Sequence, residues 1–263
     1  MTALAALARR DLAQRRSYRL AFAADLVFIV VDLLLYYFIS DVVGPVPAAE
    51  LGGSPSYFAF AVAGIVMSLL VASATADIAN RLREEQLTGT LELLCVQPMQ
   101  VWQLGLGTAT FPLAFALVRA CIYLAIAAVA LDLPTDDTDW PGVLLMLLSA
   151  SLAFMAIGIL GAGATVVFKR GGAIAGLLVF AMTFVSGALF PTSLLPDWLQ
   201  AIGEVMPTRF AFDGLRAALY ENGGWAGDAL VLIAMAVVAV PLSVWAFARA
   251  LAHAKRSGTL AQY

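Results

Sequence analysis

Charge is scarce in this sequence: Asp, Glu, Lys and Arg make up 13% of its 263 residues, against 62% hydrophobic residues. A soluble domain carries about 25% charged residues to cover its water-facing surface, so a soluble fold is excluded and a membrane protein indicated. Histidine is nearly absent as well. His253 is the only one, in a basic tail, which excludes an H-E-x-x-H metalloprotease and any multi-histidine metal site. Cys95 and Cys121 stand in unlike settings, one near charged residues and one inside an apolar run, and make neither a disulfide framework nor a metal site. Missing too is a Gly-x-x-x-x-Gly-Lys-Ser/Thr loop: Gly161-Ala-Gly163 and Gly171-Gly172 lack both the lysine and the spaced second glycine. With no P-loop, metal set or nucleophile-base pair, the chain reads as a protein without an active site of its own.

Long apolar runs are what it has in their place. Six reach roughly the length of about 20 residues that a bilayer crossing needs: 20–39, 57–76, 108–131, 143–168, 173–190 and 229–247. The fifth, at 1.5 Å per residue, covers only about 27 Å and must borrow from its flanks. The run from Leu20 is too long for a signal-peptide core and holds Asp25 and Asp32. Residues 1–19 therefore read as a cytoplasmic interfacial helix with Thr2 available as N-cap. Orientation follows from the basic residues, which stay on the cytoplasmic side of short loops. Arg9, Arg10, Arg15, Arg16, Arg19, Arg81, Arg83, Lys169, Arg170, Arg249, Lys255 and Arg256, twelve of the fifteen, fall on one side, which places both termini in the cytoplasm. The first two opposite loops hold only acids: Asp41 and Glu50, then Asp132, Asp136, Asp137 and Asp139.

Two segments do not fit a plain bundle. After span 2, residues 81–98 should continue helically to Leu87, break at Gly89, and restart with Thr88 or Thr90 as N-cap and Glu92 at the positive helix end. Leu91, Leu94 and Cys95 then share a face, and Pro98 ends the short helix. Such a protrusion can dock on a cytoplasmic partner or lie as an ordinary solvated loop. Between spans 5 and 6, residues 191–222 are too apolar for a free loop and too interrupted by Pro191, Pro196 and Pro207 for one span. Two half-membrane helices satisfy both facts, Asp197 to about Val205 and about Thr208 to Tyr220. They either line a pathway on the outer side or lie on the surface with Trp198 and Trp225 as anchors.

Together these segments carry a resemblance. Arg83-Glu84-Glu85, then Gly89-Thr90-Leu91-Glu92-Leu93-Leu94 and Pro98, resemble the signature of ABC-2 type transporter permeases, with Gln86-Leu87-Thr88 as a wider spacer. Ser186-Gly187, Phe190-Pro191, Leu195-Pro196-Asp197-Trp198-Leu199-Gln200, Pro207 and Asp213-Gly214-Leu215-Arg216 are similar to the same family's span 5 to span 6 connection, although Met206 and Arg209 depart from its usual residues. The resemblance implies an all-α polytopic membrane protein forming one domain over 1–263. It has six spans, an N-terminal interfacial helix, a cytoplasmic coupling helix between spans 2 and 3, and short re-entrant helices between spans 5 and 6. It implies Arg83, Glu84, Glu85, Gly89, Thr90, Leu91 and Glu92 as the ATPase-coupling residues, and Phe190, Pro191, Pro196, Trp198 and Pro207 as an outward gate. The implied location is the plasma (inner) membrane. The implied partners are a cognate P-loop ATPase subunit, a second permease subunit in a homodimer or heterodimer, and membrane lipids; nucleic acid is not among them. No cofactor is expected on this chain, ATP and Mg belonging to the ATPase. The implied activity is export of a hydrophobic or amphipathic molecule, drug-like or lipid, with a lipid-linked glycan as an alternative.

Three charges lie inside spans, where each costs about 2.5–3.5 kcal/mol at a helix centre. Asp25 and Asp32 are seven apart, nearly on one face, and Asp32 and Arg119 both sit about 17 Å below the outer surface at 1.5 Å per residue. A buried Asp32–Arg119 ion pair is expected; independent charges facing a cavity and a proton relay through Asp25 and Asp32 are the alternatives, the last making the chain a proton-coupled secondary transporter. Gly158, Gly161 and Gly163 should allow close helix packing. Phe28, Met67, Phe180, Met182 and Phe184 are candidate pathway-lining residues, as adaptable apolar surface.

Overall fold

The computed structural model describes residues 19–96, 100–168 and 171–257, and among these every regular element is helical. The expected interfacial helix at 1–19, apart from Arg19, falls outside them, as do the Lys169-Arg170 pair and Pro98. The first described element is α1 (Arg19–Val43), which ends beside a 3-10 turn at Ala48–Leu51. Ser56 then caps α2 (Tyr57–Ala72), its hydroxyl accepting from the Ala59 amide at 3.2 Å. Ser40, in the last turn of α1, accepts from the Phe58 amide at 3.1 Å and fixes where the two helices meet.

Span 2 does not stop at the membrane. α2, a π-helical turn (Ser73–Asp77) and α3 (Ile78–Leu87) run on without a break, 31 residues or about 46 Å. The π turn lies where α6 presses against it: a Cβ at Gly158 would collide with the Ala74 carbonyl, so only glycine allows this approach. Within the turn the Ser73 hydroxyl donates to Asp77 Oδ2 at 2.7 Å and the Thr75 hydroxyl to the Val71 carbonyl at 2.7 Å.

After α4 (Thr90–Val96) come the long helices α5 (Val101–Ala130) and α6 (Trp140–Phe168), then α7 (Gly171–Val185), a 3-10 turn (Thr192–Leu194), α8 (Asp197–Val205), α9 (Pro207–Tyr220) and α10 (Trp225–Ser257). α2 and α6 form the core. α10 packs most extensively along α6, α3 and α9 also lie against α6, and Phe154, Met146, Leu70, Leu82, Phe212 and Phe247 are fully buried between them. α1, α5 and α10 ring this core and turn apolar faces outward, as helices in contact with lipid do.

Five helical stretches are long and apolar enough to cross a membrane: Ala24–Val43, Tyr57–Leu87, Val101–Ala130, Trp140–Val166 and Trp225–Arg256. The expected fifth span is the exception. α7 starts two residues before the predicted run but ends at Val185, five residues short, because Gly187 takes a left-handed conformation (φ +73°) and turns the chain. Its fifteen residues cover about 22 Å, less than the roughly 30 Å of hydrocarbon.

Candidate functional site

Two constructed regions stand at opposite ends of the α2–α3 rod. The first is the elbow between α3 and α4. α3 ends where Thr88 folds back, its amide donating to the Glu84 carbonyl at 3.0 Å and its hydroxyl to the same carbonyl at 2.8 Å. Gly89 follows at φ +72°, with open space where a side chain would stand, so it is the backbone conformation that calls for glycine there. Thr90 opens α4, and its hydroxyl donates to the Glu85 carboxylate across the bend. The acidic pair is thus divided: Glu85 is buried and ties the elbow together, whereas Glu84 is exposed. Leu91 and Leu94 pack inward, while Leu87, Leu93 and Val96 are exposed. Arg83 is half-buried on α3, and the Glu92 side chain lies outside the described residues. The elbow therefore presents a carboxylate and three aliphatic side chains, a surface suited to a protein partner.

The second region is built on α9, some 39 Å away along the rod, taking Ala59 and Glu85 as its ends. Pro207 starts α9 at the position where its missing N–H costs nothing. Facing inward is Arg216, 3% exposed. Its Nη2 donates to the carbonyls of Gly187 and Ala188 at 2.9 and 3.2 Å, and its Nη1 lies 3.6 Å from Asp213 Oδ1. The guanidinium also stacks 3.8 Å from the centre of the Phe60 ring. Those carbonyls belong to the stretch where α7 has stopped, so the arginine supplies the donors that a continued helix would have given. Burial lowers the Arg216 guanidinium to about 10, which leaves it cationic at neutral pH; burial also raises the Tyr220 phenol above its ordinary value. Tyr220 donates to the Ala59 carbonyl at 2.8 Å, Tyr57 to the Leu189 carbonyl at 3.1 Å, and the Ser186 and Thr208 hydroxyls bond each other. A Cβ at Gly64 would collide with the Ala188 carbonyl, so α2 touches the turn backbone itself.

Beside this joint lies a pocket of about 600 Å³, lined among others by Glu50, Arg209, Asp213, Arg216, Glu221 and Asp228. Arg209 bridges Glu204 at 3.4 Å and Asp213 at 3.3 Å. Of the expected gate residues, Pro191 lines the pocket, Phe190 packs edge-on to Phe184 at 5.1 Å, Pro196 precedes α8, and Trp198 is exposed on α8. Trp225 is half-buried and donates to Asp139 Oδ2 at 2.7 Å. Asp139 also caps α6 by accepting from the Gly142 amide at 3.1 Å, while its own amide donates to the Ala218 carbonyl at 2.9 Å. The roles of the buried Arg216 and the half-buried Asp139 were not drawn from the sequence. The available signals were an arginine in the proline-bounded outer segment and an Asp-Trp-Pro helix start.

The intramembrane charges are arranged differently from the expectation. Asp32 accepts from the Tyr123 hydroxyl at 2.6 Å, and among the described residues Arg119 makes no ion pair with it. Arg119 lies one turn before Tyr123 on α5, so depth alone selected the wrong neighbour. Asp25 is half-buried on α1. The five candidate lining residues also separate: Met67 and Met182 are buried in the core, whereas Phe28, Phe180 and Phe184 are exposed on α1 and α7. The two methionines fill gaps between helices and line no surface of this chain. Gly158 sits against the Ala74 carbonyl, the close helix contact expected of it, whereas Gly163 faces Phe247 at ordinary van der Waals distance.

A chain of apolar helices with an exposed elbow at one end and a proline-bounded helix pair at the other can be compared with known families. The model of the ABC-2 type transporter family matches residues 2–220. The chain belongs to the ABC-2 type transporter family. "Nodulation protein J" of Sinorhizobium fredii is 28% identical over 194 residues, 70% of each chain. "Probable multidrug ABC transporter permease YbhR" of Escherichia coli K12 is 29% identical over 134 residues, 49% of this chain and 35% of that protein. As an ABC-2 type permease the chain is a multi-pass membrane protein of transport, and the family's place in an ABC transporter is that of the transmembrane subunit.

Proposed function

We propose that this permease is the transmembrane subunit of an ABC exporter, with α7 and the turn that follows it making the fifth of six crossings and both termini in the cytoplasm. The inner (plasma) membrane is its location on this reading. The observation that carries the proposal is the continuous α2–π–α3 rod: one end bears the elbow and the other the Phe60–Arg216 joint. A partner P-loop ATPase docks against Glu84, Leu87, Leu93 and Val96, with Glu92 beside them, and binds the ATP and Mg. Its movement on hydrolysis displaces the elbow as a unit, because Glu85 and Thr90 tie the two helices together. The rod carries that displacement to Phe60 and Gly64, which touch the turn held by Arg216. α8 and α9 then act as the outward gate, and a second permease subunit, identical or not, completes the pathway. The outer pocket has charged side chains in its lining while Phe28, Phe180 and Phe184 are apolar and exposed. That contrast favours an amphipathic cargo, a drug-like molecule or lipid, with a lipid-linked glycan as the alternative. One relative is named for multidrug transport, which agrees with the first choice.

The test is co-purification of the full-length chain with a candidate cognate P-loop ATPase subunit expressed alongside it. Glu84→Arg combined with Leu93→Asp should abolish recovery of the ATPase while leaving the permease monodisperse. Unchanged recovery would exclude the elbow as the docking surface.

A further inference from the structure

α10 carries a feature that the transport reading does not use. Trp225, near its start, and Trp245 are twenty residues apart, about 30 Å of helix and the thickness of the hydrocarbon layer. Tryptophan concentrates at membrane interfaces, so these two mark where α10 enters and leaves the apolar region. Val238, Leu242 and Trp245 fall along one exposed stripe of the helix, and the same stripe continues as Arg249, Ala252 and Arg256. The opposite face, with Phe247, Leu251 and Ala254, is buried in the protein. Arg249 lies about 6 Å beyond the Trp245 level, the depth of lipid headgroups, and Arg256 about 16 Å beyond it, with a side chain long enough to reach back. The Arg249 guanidinium stacks 4.3 Å from the centre of the Trp245 ring, and neither it nor Arg256 has a carboxylate partner among the described residues.

We infer that this stripe is a binding site for a phospholipid with an anionic headgroup. The acyl chains lie along Val238 and Leu242, the Trp245 indole sits at the ester level, and Arg249 and Arg256 donate to the phosphate. A guanidinium stacked on an aromatic ring keeps its N–H edges free for such bidentate contacts. A lipid explains what a soluble anion does not, namely that the cations lie in line with the lipid-facing apolar stripe. The two arginines act independently of any ATPase, so the inference stands or falls apart from the transport proposal.

The experiment is native mass spectrometry of the purified full-length protein equilibrated in mixed micelles with equal phosphatidylglycerol and phosphatidylcholine. The unaltered protein should retain phosphatidylglycerol in preference. R249Q/R256Q should reduce that preference by at least fivefold, in keeping with about fivefold per surface cation. R249K/R256K should keep most of it. Equal retention of the two lipids by the unaltered protein, or an undiminished preference in R249Q/R256Q, would overturn the assignment. Displacement of the lipid by millimolar inorganic phosphate would overturn the lipid as occupant in favour of a free anion.

Discussion

The guanidinium of Arg216 lies flat against the Phe60 ring, 3.8 Å from its centre, while the same group donates to the Gly187 and Ala188 carbonyls. One side chain therefore joins α2, α9 and the end of α7. Removing it leaves two buried acceptors without donors, at about 1–3 kcal/mol each, and forfeits a cation–π contact of about 1–2 kcal/mol. Arg216→Gln should lower stability on the order of 3 kcal/mol, read from thermal unfolding in detergent. Arg216→Lys should recover only part of this, since an ammonium cannot both stack and reach two carbonyls.

At the elbow the two glutamates should part company. Glu85→Ala removes the acceptor of the Thr90 hydroxyl and should destabilise the protein by about 1–2 kcal/mol. Thr90→Val should also destabilise it, and the double variant should lose less than the sum of the two, because the changes share one contact. Glu84→Gln, at an exposed position, should leave the unfolding midpoint within a degree or two and weaken only recovery of the ATPase. Paired melting and pull-down measurements on the four variants decide this.

Inside the membrane, Asp32→Asn and Tyr123→Phe should show a coupling energy of about 0.6–1.7 kcal/mol in a double-mutant cycle, the range of interhelical hydrogen bonds in lipid. Asp32→Asn and Arg119→Gln should be closer to additive, as expected for residues without a shared contact.

Close backbone approach makes two glycines intolerant. Gly64→Ala meets the Ala188 carbonyl and Gly158→Ala the Ala74 carbonyl; each should cost about 1–3 kcal/mol in unfolding experiments. Gly176→Ala, with nothing within 4 Å of the added methyl, should be neutral or slightly stabilising.

How much of this was legible in the sequence depended on whether the cause was local. The break at Gly89 and the helices flanking Pro207 follow from single residues whose backbone preferences act wherever they occur. Asp32's partner did not follow, because rise per residue gives depth but not which way a helix is turned, and Arg119 and Tyr123 lie one turn apart on the same side. Met67 and Met182 were misjudged for a related reason. In a span that is apolar all round, the face toward lipid and the face toward the core carry the same kinds of residue, so no periodicity separates them. Glu84 and Glu85 are neighbours 100° apart on a helix, and only packing reveals which is buried. The early end of α7 was hidden likewise: residues 186–190 stay nearly as apolar as the helix, and the Arg216 donors that permit the turn come from thirty residues downstream.

The central claim is that ATP hydrolysed by a separate subunit drives transport through this chain by way of the α3–α4 elbow. It is tested most directly by ATP-dependent accumulation of a fluorescent amphiphile in inverted vesicles containing the chain and its partner ATPase. Accumulation should need both proteins and ATP and fall at least tenfold with Glu84→Arg/Leu93→Asp. Accumulation driven by a proton gradient without the ATPase, and untouched by those changes, would contradict it.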